Sequence, residues 1–306
     1  MLNFSLFLFI GTLGWGISLY LIKILLVCLT PTEIVLYRTL LGALSLFMLA
    51  KLLRLRSVHF KALVCDGLVV GLFNVALPLY LTSLAEKTVP SALASVLNGL
   101  TPLCTFLWSF CFLTERPKMR FFNVLSLTLG LLGISLVHLD HLKSQGSLVH
   151  LLALMATCFS YGFVANYVKN CLRTQEPILV AAMASAVSAL LMLFFQLYTH
   201  ASLSWGYPTT LAQGSALLWL GVISTGLSLY LYCLLIKRLG AVNAVMVTYL
   251  MTVTGVLMGV VFLGEKMSTL VILGCCCVII SLLLTNHAAS FERFYRGYSL
   301  RALQRV

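Results

Sequence analysis

Few side chains in this chain are equipped for chemistry. Among its 306 residues only eight are Asp or Glu and six are His. The densest grouping is His138-x-Asp140-His141, a spacing able to catch a metal ion, but no metal site and no cofactor are expected from so sparse a set. The remaining histidines (His59, His150, His200 and His287) fall in loops or at helix ends, and the acids are scattered through different loops. No P-loop and no GxSxG is present, so neither ATP hydrolysis nor a serine nucleophile is indicated. The ten cysteines show no CxxC or Cys/His ligand spacing; most lie inside apolar runs and read as small packing residues. An enzyme is not expected. What recurs instead is an acid beside a base at the end of an oily run. CFLTER occupies 111–116 and VFLGEK 261–266, which puts Glu115 and Glu265 150 positions apart. A carboxylate there would sit at the positive end of the next helix and pair with Arg116 or Lys266, a structural or gating role.

The elements that must position these residues are apolar throughout. Hydrophobic residues make up 61% of the chain and charged residues 9%, against about half and a quarter in soluble domains. The apolar runs are each long enough to cross a hydrocarbon core of about 30 Å. The first, Phe4 to Leu29, lacks a basic leader and a small-residue cleavage site, so it reads as a membrane helix and not as a signal peptide. The expected fold is an all-α polytopic membrane protein with ten helices, at about 4–28, 33–52, 62–84, 90–113, 121–138, 148–169, 178–198, 212–236, 241–263 and 268–285. With that count, 15 Lys and Arg fall on the side carrying both termini and 4 on the other, leaving Arg38 inside a helix. The excess places both termini in the cytoplasm. The net charge of +12 is thereby a topology signal, and nucleic acid is not needed as a partner.

The chain repeats itself. At an offset of 150, Gly71 falls on Gly221, Tyr80 on Tyr230, Ala94 on Ala244, Phe112 on Phe262 and Glu115 on Glu265. At 146, Gly16 falls on Gly162, Lys23 on Lys169, Pro31 on Pro177 and Trp15 on Tyr161. The reading is two five-helix units, 1–143 and 144–286, followed by a basic tail, 287–306, whose mixed aromatics and arginines suit either an amphipathic helix on the inner leaflet or an ordinary cytoplasmic tail. Because five is odd, the second unit enters the membrane from the opposite side, giving inverted repeats and a substrate site between the halves.

Polar groups at mid-bilayer are costly and therefore informative. Trp15 and Tyr161, Asn74 and Ser224, and Asn98 and Thr248 form three repeat pairs near helix centres and are the leading substrate-binding candidates. Tyr20, Tyr80, Asn166, Tyr230 and Tyr249 follow, further from the centre. For the two asparagines a second reading stands beside binding, that of hydrogen-bonding glue between helices. Arg38 also has two readings: a side chain snorkelling to the outer interface, or a counter-ion for a substrate carboxylate. Lys23 and Lys169 read as snorkelling anchors. Aromatic walls with amides suit a small organic solute carrying a flat or apolar moiety and polar handles.

The pattern PTEIVLYRTLLGAL (31–44), the stretch VPSALASVLNGLTPLCTFLWSFCFLTER with Pro102 and Glu115, and GAVNAVMVTYLMTVTGVLMGVVFLGEK closing on Glu265 resemble an EamA-type member of the drug/metabolite transporter superfamily. The resemblance runs from Phe4 to about Leu284. It departs where the second half has Ala184 opposite Arg38 and Thr252 opposite Pro102, so those two features are single. The resemblance implies secondary transport or exchange of a small metabolite, with amino acids and nucleoside-linked amino acids such as S-adenosylmethionine among the solutes of relatives. The alternatives weighed are a lipid-linked sugar or phospholipid flippase on the same fold, a membrane enzyme and a scaffold. Expected partners are the solute and membrane lipids, the protein being a monomer or homodimer in a bacterial inner membrane.

Overall fold

The structure, a computed structural model, describes residues 2–112 apart from 56 and 58, isolated positions between 125 and 136, residues 148–199 apart from 173, and residues 205–280 apart from 267, 271 and 278, with 284. Every regular element among the described residues is helical. Seven helices are long and apolar enough to cross a membrane: α1 (Ser5–Leu25), α2 (Pro31–Leu52), α3 (Phe60–Ala85), α4 (Ser91–Cys111), α5 (Leu148–Cys171), α6 (Pro177–Thr199) and α7 (Leu211–Leu239). A shorter apolar helix, α8 (Val247–Phe262), follows. They occupy the expected helices one to four and six to nine, and the chain is a polytopic membrane protein. The expected helix at 121–138, Glu115, the His138 group and the basic tail lie wholly or mostly outside the described residues; the helix at 268–285 is described in pieces.

Local chemistry sets the helix starts. At α2, Thr30 and Glu33 form a reciprocal cap, with Pro31 in the first turn where its missing N–H costs nothing. The Glu33 carboxylate also accepts from the Gly206 N–H at 2.8 Å, tying the segment before α7 to the start of α2. Thr210 and Gln213 cap α7 in the same manner. Helix α4 has no such device, because Pro90 precedes it and offers no side-chain oxygen. Its first two N–H groups, of Ser91 and Ala92, donate instead to the Glu265 carboxylate at 2.7 and 2.9 Å. This corrects the expectation for Glu265. The carboxylate caps α4, 174 positions earlier in the chain, and Lys266 makes no ion pair with it among the described residues. The reason lies in two glycines. Gly264, at φ +64, turns the chain after α8, and a Cβ on Gly259 would stand 2.4 Å from the Glu265 carboxylate and 2.7 Å from the Ala92 nitrogen.

Small residues let the helices approach closely elsewhere. A Cβ on Gly71 of α3 would meet the Ala184 carbonyl of α6 at 2.7 Å, and one on Gly221 of α7 would meet Leu41 of α2 at 2.4 Å and the Arg38 carbonyl at 3.3 Å. Gly162 of α5 lies against Cys104 of α4, and Gly16 of α1 against Thr254 of α8.

Five of the helices are irregular at their middle or approach. The turn at 15–17 breaks α1, the turn at 99–100 breaks α4, and a turn at 245–246 separates the short helix Ala241–Ala244 from α8. Wider π-helical turns run through Gly71–Ala76 of α3 and Trp219–Leu227 of α7. In a membrane, freed backbone groups are tolerated only where they are buried in protein or line a cavity. These irregular turns surround one.

Candidate functional site: a central cavity

The cavity encloses about 800 Å³ of space not filled by atoms, the open solvent at its mouth included. All six leading candidates, Trp15, Asn74, Asn98, Tyr161, Ser224 and Thr248, line it. The irregular turns account for their placement. Trp15 stands on the break in α1, Asn74 and Ser224 on the π-helical turns of α3 and α7, and Asn98 at the break in α4. Pro102 contributes to that last break: lacking an N–H, it cannot bond the Asn98 carbonyl, which accepts from the Thr101 hydroxyl at 2.7 Å. Thr101 itself lines the cavity.

The aromatic wall is fixed by specific contacts. The Trp15 indole N–H donates to the Ser224 carbonyl at 2.9 Å, pinning α1 to α7, and its ring meets Tyr232 edge-on with centroids 5.0 Å apart. The amides are not fixed in that way. Among the described residues the Asn74 side chain makes no hydrogen bond, and the Asn98 side chain has only a 3.9 Å contact from the Cys158 thiol. The glue reading therefore fails for Asn74, rests on that single weak thiol contact between α5 and α4 for Asn98, and describes Asn166 fully. That amide donates to the Thr105 and Gly162 carbonyls at 3.0 and 3.1 Å and lies away from the cavity.

Four further candidates are corrected. Tyr20 packs on Phe262, Tyr80 edge-on against Phe195, and Tyr230 and Tyr249 against apolar clusters; none lines the cavity. Helical phase is the cause. Two residues along a helix swing the side chain by about 200°, so Thr82 and Tyr232, and not Tyr80 and Tyr230, face the cavity. The repeat offset could have found them, since 82 and 232 differ by the same 150.

Arg38 does not snorkel. It is 2% exposed and lines the cavity wall. Its Nε donates to the Thr225 hydroxyl at 2.9 Å and one terminal nitrogen to the Ser18 hydroxyl at 3.4 Å, while the other terminal nitrogen, Nη1, is buried without a partner. Gly42, one turn along α2, holds α2 close to Gly221 and Thr225 of α7, which leaves the guanidinium no route to an interface.

A second polar cluster, unforeseen in the sequence, lies at the helix ends on Glu265's side. Lys23 also does not snorkel: its ammonium donates to the Glu86 and Val89 carbonyls beyond the end of α3 and stands 3.7 Å from the Glu86 carboxyl. Glu86, just past α3, is fully buried and accepts from the Ser91 hydroxyl at 2.7 Å, with its other oxygen unpartnered. Burial pushes the Glu86 carboxyl up to about 8, against the opposing pull of Lys23 and Ser91. The cluster joins α1, α3, α4 and the end of α8.

Broken membrane helices around a central cavity recur in one class, that of the secondary transporters. The profile of the EamA-like transporter family matches residues 3–139 and 148–287, and this chain belongs to that family. It is 22% identical over 281 residues to the uncharacterized transporter YvbV of Bacillus subtilis (strain 168), covering 91% of this chain and 90% of that one. It is 24% identical over 279 residues to the uncharacterized transporter YoaV of the same strain, covering 88% and 92%. A solved crystal structure superposes with a TM-score of 0.61 at 18% identity, over 90% of this chain and 96% of the other, and shares the fold. The protein is thus a transporter and not an enzyme, working on a small molecule in a lipid environment.

Proposed function

We propose that this protein carries a small organic metabolite, of the amino-acid or nucleoside-linked amino-acid class that includes S-adenosylmethionine, by alternating access about the central cavity. The observation that carries the reading is the pairing of the cavity wall. At an offset of 150, Asn74 answers to Ser224, Val75 to Thr225, Leu79 to Leu229, Thr82 to Tyr232, Asn98 to Thr248 and Thr101 to Met251; at 146, Trp15 answers to Tyr161. Only Ser18, Leu19, Ile22 and Arg38 line the cavity without a lining counterpart. A wall built from equivalent positions of two halves supports an inverted repeat, in which exchanging the conformations of the halves turns the opening from one membrane face to the other.

The glycine contacts support the same arrangement. Gly71 meets the carbonyl of Ala184 as Gly221 meets that of Arg38, and Gly162 meets Cys104 as Gly16 meets Thr254. In each case the second contact is the first at the repeat offsets. We place the halves at 1–143 and 144–286, with ten membrane helices and both termini in the cytoplasm of a bacterial inner membrane; the Lys and Arg distribution supports that orientation. The Asn74 and Asn98 amides and the aromatic wall support a solute with a flat or apolar body and polar handles.

The test is counterflow in proteoliposomes preloaded with amino acids, S-adenosylmethionine, S-adenosylhomocysteine or nucleotide sugars. Trp15→Ala and Asn98→Ala proteins run alongside. Accumulation of one labelled compound, lost in both variants, is the expected result. Accumulation that survives both would remove the cavity as the site. Absence of flux for every soluble compound, in folded protein, would favour a lipid-linked substrate.

A further inference from the structure

The geometry points to Arg38 as the group that binds a carboxylate on the transported solute, an assignment that rests on the transport reading above. The guanidinium lies in the cavity wall, 2% exposed, and no carboxylate among the described residues pairs with it. Its hydrogen bonds go to two neutral hydroxyls, those of Thr225 and Ser18. These two bonds fix the plane of the fork and leave Nη1 without a protein partner. A buried cation without a counter-charge is costly, and a pair of oxygens spaced as in a carboxylate matches what a guanidinium fork offers.

The rest of the wall agrees. Every other lining residue is neutral, so the wall itself holds nothing that cancels the Arg38 charge. Asn74, Asn98, Ser224 and Thr248 supply neutral hydrogen bonds, suited to amine, hydroxyl or amide groups elsewhere on the solute. Trp15, Tyr161 and Tyr232 supply flat apolar surface.

The arrangement is one-sided. Ala184 stands at the repeat position of Arg38 in the second half, so only the first half offers a charge. The solute's carboxylate end is therefore held by α2 while its body spans the seam. An anion also neutralises the guanidinium before the cavity closes, whereas an empty cavity must close over an unpaired cation. Exchange of one carboxylate for another is then easier than return of the empty carrier.

Matched ligand pairs test this on the purified full-length protein, read by thermal stabilisation and by counterflow. The probes are the proteinogenic amino acids, phenylacetate and indole-3-acetate, each set against its carboxamide. The expected result is that the bound members are carboxylates, that their amides bind about thirtyfold or more weakly, and that Arg38→Gln removes the difference while Arg38→Lys keeps part of it. The wild-type comparison requires no variant to fold. Equal binding of acid and amide would overturn the assignment, as would carboxylate affinity unchanged in Arg38→Gln. Carriage of neutral or cationic compounds with every carboxylate refused would overturn it and leave the transport reading standing. A folded protein that neither binds nor carries any soluble compound would remove both.

Discussion

Glu86 is a carboxyl whose surroundings suit its neutral form. It is fully buried, with one oxygen unpartnered and the other held by the Ser91 hydroxyl, and Lys23 at 3.7 Å does not offset the loss of water. The Glu265 carboxylate nearby pushes in the same direction as burial. Its pKa in the folded protein lies above the ordinary 4.5, near 8, so folding favours the protonated form. The contribution of Glu86 to stability is therefore fully present below 4.5, is lost as the pH rises towards 8, and is absent beyond. Thermal unfolding of the solubilised protein across that range should show the decline, and Glu86→Gln should flatten it. A steeper decline in the variant would mean that Glu86 is ionised and holds Lys23. Its neighbour Glu265 acts through its charge on helix α4. Glu265→Ala should cost about 1–2 kcal/mol through loss of the cap, while Lys266→Ala should change stability by less than about 0.5 kcal/mol. A denaturation series with the two variants reversed in rank would refute the cap. The sequence placed Glu265 at a helix end but not against its partner, since nothing in a linear pattern links it to Ser91 and Ala92.

At the scale of elements, hydrophobic run length and turn residues placed the eight described helices to within a few residues, because a membrane span is fixed by bilayer thickness and punctuation. Their irregular centres were not legible. The π-helical turns at Gly71–Ala76 and Trp219–Leu227 have no pattern in residue type that distinguishes them from ordinary helix, and they shift the phase of everything after them. Ordinary periodicity, at about 100° per residue, already sets Thr82 and Tyr232 about 80° from Asn74 and Ser224, and Tyr80 and Tyr230 about 240° away. The glycines, by contrast, make firm predictions. Gly221→Ala puts a Cβ at 2.4 Å from the Leu41 Cβ and should destabilise the protein by about 1–3 kcal/mol. Gly214, in the first turns of the same α7, has nothing within 4 Å, so Gly214→Ala should be neutral or stabilising by up to about 1 kcal/mol. Thermal midpoints of the two variants in one detergent decide the point. Equal effects would mean that α7 does not press on α2 through Gly221.

At the scale of the molecule, the repeat offsets did more than the residue types. Taken singly, Thr82, Thr101 and Met251 give no sign of facing a substrate; taken with their partners, they fall on one wall. The repeat also marks Arg38 as single, with Ala184 opposite it, but the surroundings of Arg38 came only with the packing of α2 on α7. An inverted repeat also has a consequence for the whole chain that does not depend on the cavity. The five helices proposed for each half, 1–143 and 144–286, put position 143 and position 306 on opposite sides of the membrane. In a bacterial host, alkaline phosphatase fused after residue 143 should be active and green fluorescent protein there dark, with the reverse after residue 306. Green fluorescence at both positions, with phosphatase inactive at each, would require an even number of spans in each half. The halves would then be parallel copies, and exchanging their conformations would no longer carry an opening from one face to the other.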